Sequence, residues 1–176
     1  MTMTDQAVSR DELSERIGQL LVARQWRLIS AESCTGGLLA ARVTEIPGSS
    51  DWFEGAFVTY RLSAKTDMIG VPIQTLDRHG AVSEPTARSM AEGALNASSA
   101  DIAVAITGIA GPDGGDVIAP IGTVWFAWAV RADEVRCVQT AEHHLAGSRQ
   151  AVRDRAVEVA LSGVAELLQN PAPTLT

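Results

Sequence analysis

Apolar residues recur at helical spacing near the start of the chain. Leu13, Ile17, Leu20 and Leu21 follow Ser9-Arg10-Asp11-Glu12, which has the spacing of a capping box, so residues 10–24 read as an amphipathic helix. Residues 27–32 read as a first strand, and a helix over about 35–45 is stopped by Ile46-Pro47-Gly48-Ser49-Ser50. The pattern then predicts a strand at 55–60, a short helix at 63–69 and a helical turn at 72–79 with Pro72 near its start. Ser83 caps a helix running to about 98, with Pro85 in its first turn, and a strand follows at 101–107. Strands at 121–130 and 135–143 flank Arg131-Ala132-Asp133-Glu134, a turn short enough to require an antiparallel hairpin. Ser148 caps the last helix, whose Val152, Ala156, Val159, Ala160, Val164, Leu167 and Leu168 form one apolar face. Strands alternating with helices and then a hairpin predict a three-layer α/β/α domain with a mixed, mostly parallel sheet of about five strands.

Composition narrows the class without naming a function. The 176 residues suit one domain, taken as 9–169, with frayed ends at 1–8 and 170–176. An apolar share of 46% is that of a soluble protein with a real core, the N-terminus has neither a basic region nor an apolar stretch of signal-peptide length, and nowhere do about 18 apolar residues run uninterrupted as a membrane span needs. The net charge of −7 argues against nonspecific binding to nucleic acid, whose phosphates reward clustered lysine and arginine. Cys34 and Cys137 make no disulfide framework, and no Cys/His spacing reads as zinc. His143-His144 does not read as a metal pair, because neighbours on a strand point to opposite faces. A reduced, cytoplasmic protein without metal or cofactor is expected.

The chemistry concentrates where strands end. Ala31-Glu32-Ser33-Cys34-Thr35-Gly36-Gly37 lies between a strand and a helix, and so presents a hydroxyl, a thiol and two glycines to a helix N-terminus. Unpaired N–H groups there favour a phosphate or a developing oxyanion. The plainer alternative is that Ser33 or Thr35 caps the helix while Gly36 and Gly37 relax the turn. Lys65 stands five residues after Tyr60, and Thr107-Gly108-Ile109-Ala110-Gly111-Pro112-Asp113-Gly114-Gly115 is a second glycine-rich loop after a strand.

Six stretches carry a family resemblance: AESCTGG (31–37), VTYRLSAK (58–65), GAVSE (80–84), TGIAGPDGG (107–115), PIGTVW (120–125) and GSRQAVR (147–153). In this order, over roughly residues 10–168, the chain resembles the carboxy-terminal domain of the competence/damage-inducible protein CinA and its stand-alone form, nicotinamide-nucleotide amidase. The resemblance implies the same α/β/α architecture and a homodimer. It further implies a small-molecule nucleotide substrate, deamidation of nicotinamide mononucleotide to nicotinic acid mononucleotide and ammonia, and a place in pyridine-nucleotide recycling.

Hydrolysis of a carboxamide needs a nucleophile, a base, an acid for departing ammonia and donors for the oxyanion. The resemblance implies a Ser-Lys type site in which Ser33, Tyr60 and Lys65 act together, Tyr60 orienting Lys65 or relaying its proton. A free lysine with a pKa near ~10.4 is only about 0.1% neutral near pH ~7.4, so a half-neutral Lys65 needs roughly 4 kcal/mol of differential interaction and a dry pocket. Cys34 is the rival nucleophile, though no histidine is placed to form a thiolate pair with it. Thr35, Gly36, Gly37, Thr107 and Gly108 are candidate substrate-binding residues, with N–H groups suited to a phosphate or an oxyanion. Arg149 and Arg153, one turn apart, are candidate phosphate ligands or else partners of Glu142, Asp154 or Glu158. Gly80 to Ser83 are expected to wall the pocket. One position departs from the family: Leu62 stands where Asn is usual, and cannot make an amide's hydrogen bonds. That departure keeps open a second class, a noncatalytic nucleotide-binding or regulatory module of the same fold. In larger relatives the domain is fused to an amino-terminal pyrophosphatase domain, for which this chain has no room.

Overall fold

The computed structural model describes residues 10–132 and 134–170. The expected cap Ser9, the turn residue Asp133 and the tails 1–8 and 171–176 lie outside the described residues. In chain order the elements are α1 (Arg10–Arg24), β1 (Leu28–Glu32), α2 (Leu38–Thr44), β2 (Phe53–Val58), α3 (Leu62–Ile69), α4 (Ile73–His79), α5 (Glu84–Asn96), β3 (Ile102–Gly108), β4 (Thr123–Arg131), β5 (Val135–His144) and α6 (Arg149–Gln169), with a single 3-10 turn at Ser49–Asp51 before β2.

The five strands form one sheet in the order β2-β1-β3-β4-β5. β1 pairs parallel with β2 and β3, whereas β3–β4 and β4–β5 are antiparallel. Four of the five strands therefore run the same way. After β1, second from one edge, the chain adds β2 on its outer side and then β3 on its inner side. Such a reversal opens a crevice outside the carboxyl ends of the strands. β1, β2 and β3 all deliver their ends to it.

The sheet's two faces differ in side-chain size. Leu28, Ile102, Val104, Ile106, Val124, Phe126 and Trp128 meet α1, α2 and α6 through Ile17, Leu21, Leu39, Val43, Val152 and Leu161. The opposite face is mostly alanine: Ala31, Ala103, Ala105, Ala127 and Ala129, with Ile29, pack on Ala87, Met90, Ala91 and Ala94 of α5. Small residues against small residues let α5 lie close, while the bulky face supplies the larger share of buried apolar area. Two expected caps form: Ser83 Oγ accepts from Thr86 N at 3.4 Å and Ser148 Oγ from Ala151 N at 3.2 Å.

Several boundaries shift by one to three residues from expectation, and two of the shifts have a readable cause. The second strand spans Phe53–Val58, earlier than 55–60, because it is an edge strand of alternating burial whose pattern is blurred by Gly55. The helix expected from 35 begins at Leu38, because Gly36 and Gly37 take left-handed backbone (φ 58° and 95°) and spend the preceding residues on a turn.

Candidate active site

Ser33 sits one residue past β1, where its N–H donates to Ile106 O at 2.9 Å and so continues the ladder with β3. On the other side Thr59 N donates to Glu32 O at 2.8 Å, continuing the ladder with β2. Both strand ends are thereby fixed beside each other. Lys65 reaches back from α3 into the gap: its Nζ lies 2.9 Å from Ser33 Oγ, 2.6 Å from Thr59 O and 3.4 Å from Tyr60 O. The lysine side chain is 0% exposed and Ser33 is 8% exposed. A charged Nζ donates to all three oxygens. A neutral Nζ keeps two donors for the carbonyls and turns its lone pair to the serine hydroxyl.

Burial lowers the Lys65 ammonium from about 10.5 to about 8, and a thiolate at Cys34 is the charge that would oppose the shift. Roughly a fifth of molecules then carry the neutral amine near pH ~7.4, less than the half set out from the sequence but some two hundred times the share in a solvated lysine. Cys34 moves the other way. Burial pushes its thiol to about 11, against the opposing pull of its own N–H and of Lys65 and Arg153. A thiol so held is protonated at neutral pH and is packed among core side chains, which disfavours it as the nucleophile.

Glu32, wholly buried, organises the turn that carries Ser33. Its carboxylate accepts from the N–H groups of Gly37 (3.0 Å), Leu39 (3.1 Å) and Ala40 (3.0 Å) and from the Ser30 hydroxyl (3.1 Å). The negative group expected at the α2 N-terminus is thus the protein's own. Thr35, Gly36 and Gly37 consequently do not form the ligand cradle expected of them. Thr35 is fully buried with its hydroxyl unpartnered among the described residues, the Gly37 N–H is taken by Glu32, and none of the three lines the neighbouring cavity.

That cavity, about 250 Å³, is bounded by Ser33, Cys34 and Tyr60, by Ala81 and Val82, by Thr107 to Gly111, by Asp113 and Gly114, and by Arg149. Of the wall expected from Gly80 to Ser83, Ala81 and Val82 line the cavity and the two flanking residues do not. Thr107 anchors it: the hydroxyl donates to Ala81 O at 2.7 Å, so its proton holds the wall and is not free for a ligand. Gly108 owes its identity to β4, since a Cβ there would stand 2.8 Å from Thr123 O and from Val124. The N–H groups of Ala110 and Gly111 make no hydrogen bond among the described residues and are among the available main-chain donors on this wall.

The Tyr60 role needs correction. Its hydroxyl is bonded to Arg149 Nη2 at 3.1 Å, and it is the Tyr60 carbonyl, not the hydroxyl, that approaches Lys65. Tyr60 therefore fixes Lys65 through the main chain and helps hold Arg149 on the cavity rim; a proton relay through the phenol is not made. Arg149 also donates to Gly111 O at 2.7 Å and takes no carboxylate among the described residues. Arg153 binds the carbonyls of Cys34 (3.2 Å) and Thr35 (3.0 Å), bracing the serine turn without lining the cavity. Glu158 pairs with Arg155, and Asp154 faces Arg42 at 3.8 Å. Leu62, 53% exposed in the first turn of α3, does not line the cavity either. His143 stacks edge-on to Phe126 and His144 faces the Thr123 hydroxyl at 3.3 Å, and among the described residues no group of three or more His, Cys, Asp or Glu is placed to hold a metal ion.

The profile of the CinA C-terminal domain matches residues 10–168. The chain belongs to the CinA C-terminal domain family. Among its relatives is the protein named nicotinamide-nucleotide amidohydrolase PncC of Escherichia coli strain K12, 51% identical over 169 residues, which cover 96% of this chain and 99% of the relative. The crystal structure of a CinA superfamily protein from Klebsiella pneumoniae 700603 superposes with a TM-score of 0.85 at 40% identity, covering 92% and 98% of the two chains. A second, the competence damage-inducible protein A of K. pneumoniae MGH 78578, does so with a TM-score of 0.87 at 38% identity, covering 93% and 99%. No helix among the described residues is long and apolar enough to cross a membrane.

Within this CinA domain two charged side chains of the site went unread in the sequence. Glu32 and Asp113 both lie inside quoted motifs, but nothing in the spacing says that one folds back onto helix amides and the other lines the cavity. A plainer signal was available in the composition: Lys65 is the only lysine in the chain and Tyr60 the only tyrosine.

Proposed function

We propose that the chain is a nicotinamide-nucleotide amidase that converts nicotinamide mononucleotide to nicotinic acid mononucleotide and ammonia through a Ser33–Lys65 pair. The observation that carries the reading is the buried 2.9 Å contact between Lys65 Nζ and Ser33 Oγ at the edge of a cavity. Ser33 Oγ attacks the carboxamide carbon as the neutral Lys65 takes its proton, and the oxyanion meets the free N–H groups of Ala110 and Gly111. Collapse breaks the C–N bond, Lys65 returns the proton to the departing ammonia, and an ester on Ser33 remains. Water, deprotonated by Lys65, then attacks that ester, giving the carboxylate and restoring the serine hydroxyl.

The name borne by the 51% identical E. coli relative supports the substrate, and the geometry supports the chemistry. In this reading the reaction serves pyridine-nucleotide recycling in the cytoplasm and is carried out by a homodimer, as the family resemblance implies. The test is ammonia release from nicotinamide mononucleotide by the purified chain in the presence of a chelator. Sustained release is expected; tight binding without release would leave the noncatalytic module instead.

A further inference from the structure

The cavity beside Ser33 is lined by two charged side chains, Asp113 and Arg149, of opposite sign. They make no ion pair with each other among the described residues. Arg149 spends part of its guanidinium on Gly111 O and the Tyr60 hydroxyl, which fixes its plane and leaves the remaining N–H groups free. Asp113 has no hydrogen bond or ion pair among the described residues. Two opposite charges that line one small cavity without pairing with each other suit a ligand that itself carries charge of both signs. A ligand of a single charge would meet attraction on one side and repulsion on the other.

Resting on the amidase reading above, we infer that Asp113 is a specificity-determining residue that recognises the positive charge of the ring, while Arg149 takes the phosphate. In an oxidised nicotinamide nucleotide the ribose bond makes the ring nitrogen a quaternary pyridinium, and the phosphate lies at the far end of the ribose. The charge on the ring disappears in the reduced dihydropyridine form, and the phosphate disappears in the riboside. Asp113 therefore selects the oxidised, glycosylated ring over neutral carboxamides of the same shape. The side chain is exposed, so the preference is modest, about fivefold, as for ion pairs in contact with water.

Binding separates this from the chemistry, since reduction of the ring also lowers the reactivity of its amide. Calorimetric titrations use Ser33→Ala, which cannot turn the ligand over, with nicotinamide mononucleotide, its reduced form and nicotinamide riboside. The expected result is about fivefold tighter binding of the oxidised nucleotide than the reduced one. Asp113→Asn should bring the two within about twofold by weakening the oxidised form alone, and Asp113→Glu should keep the preference. Arg149→Gln should instead weaken both nucleotides together and leave the oxidised-over-reduced ratio standing. Equal weakening of both forms by Asp113→Asn, or none, overturns the assignment. Ammonia release by the unmodified chain reports separately on the reaction: its absence with the binding ratios intact refutes the amidase alone, and no binding of either nucleotide overturns both.

Discussion

Because Lys65 is the chain's only lysine, its ionisation can be read without assignment. Protein labelled with [13Cε]-lysine should show one side-chain resonance, and that resonance should titrate near 8, where burial sets it, with no signal moving at the ~10.4 of a solvated lysine. The displacement from 10.5 to about 8 corresponds to about 3 kcal/mol by which the folded protein disfavours the ammonium at neutral pH. The sign follows from proton counts. Between the two values the unfolded chain holds the proton that the folded chain has released, so stability rises with pH through this window. From about pH 7.5 to about pH 9 the rise from Lys65 alone is about 1 kcal/mol.

Cys34 acts in the opposite sense, since a thiol raised from 9.0 to about 11 costs stability as the pH climbs, about 0.4 kcal/mol by about pH 9. Urea melts in a Cys34→Ala background remove that contribution, and the difference from Lys65→Met in the same background isolates the lysine. The rate constant kcat/KM should rise with the same midpoint as the resonance. A resonance titrating near ~10.4, or a rate flat from about pH 6.5 to about pH 9.5, would refute the idea of a dry, neutral base.

Ser33→Ala should abolish ammonia release while retaining the fold and ligand binding, whereas Cys34→Ala should keep most of the rate; the reverse outcome in the same assay would make Cys34 the nucleophile. Lys65→Arg should lose activity nearly as fully as Lys65→Ala, because a guanidinium keeps its proton at any assay pH, and substantial turnover would recast Lys65 as an electrostatic ligand. Tyr60→Phe should raise KM through a loosened Arg149 and lower kcat only severalfold, with the pH midpoint unmoved; a collapse of kcat would restore the phenol to the proton path. Glu32→Gln should lower unfolding free energy in urea by about 2 kcal/mol or more, since an amide NH2 then faces helix N–H groups that the carboxylate satisfied, and an unchanged midpoint would show the turn to be held by other contacts.

The sequence pattern carried the helices and the hairpin, because each depends on local periodicity, whereas the pairing of Ser33 with Lys65, 32 residues apart in two separate motifs, was legible only through the family resemblance. The terminal helix, read from its apolar face and the Ser148 cap, is observed as Arg149–Gln169 with that cap made. Strand order was beyond reach, since nothing local says that β1 lies between β2 and β3. The same limit hid Thr59, whose carbonyl fixes Lys65 at 2.6 Å although its residue type is irrelevant to that contact.

The anion site shows why a motif can be read correctly and still mislead. A strand running into a glycine-containing turn and a helix does gather free amides that favour negative charge. Here the residue two before Cys34 supplies that charge from inside, so the amides of Gly37, Leu39 and Ala40 are satisfied before any ligand arrives. A second anion against Glu32 would meet like charge in a buried setting, where repulsion is least screened. A phosphate on the substrate proposed above would then find its partner elsewhere on the rim, and Arg149, without a carboxylate among the described residues, is the cation that the cavity offers. The glycine turn thereby gives up binding for rigidity. Its work is to hold Ser33 at the end of β1, within reach of a lysine carried by a different helix.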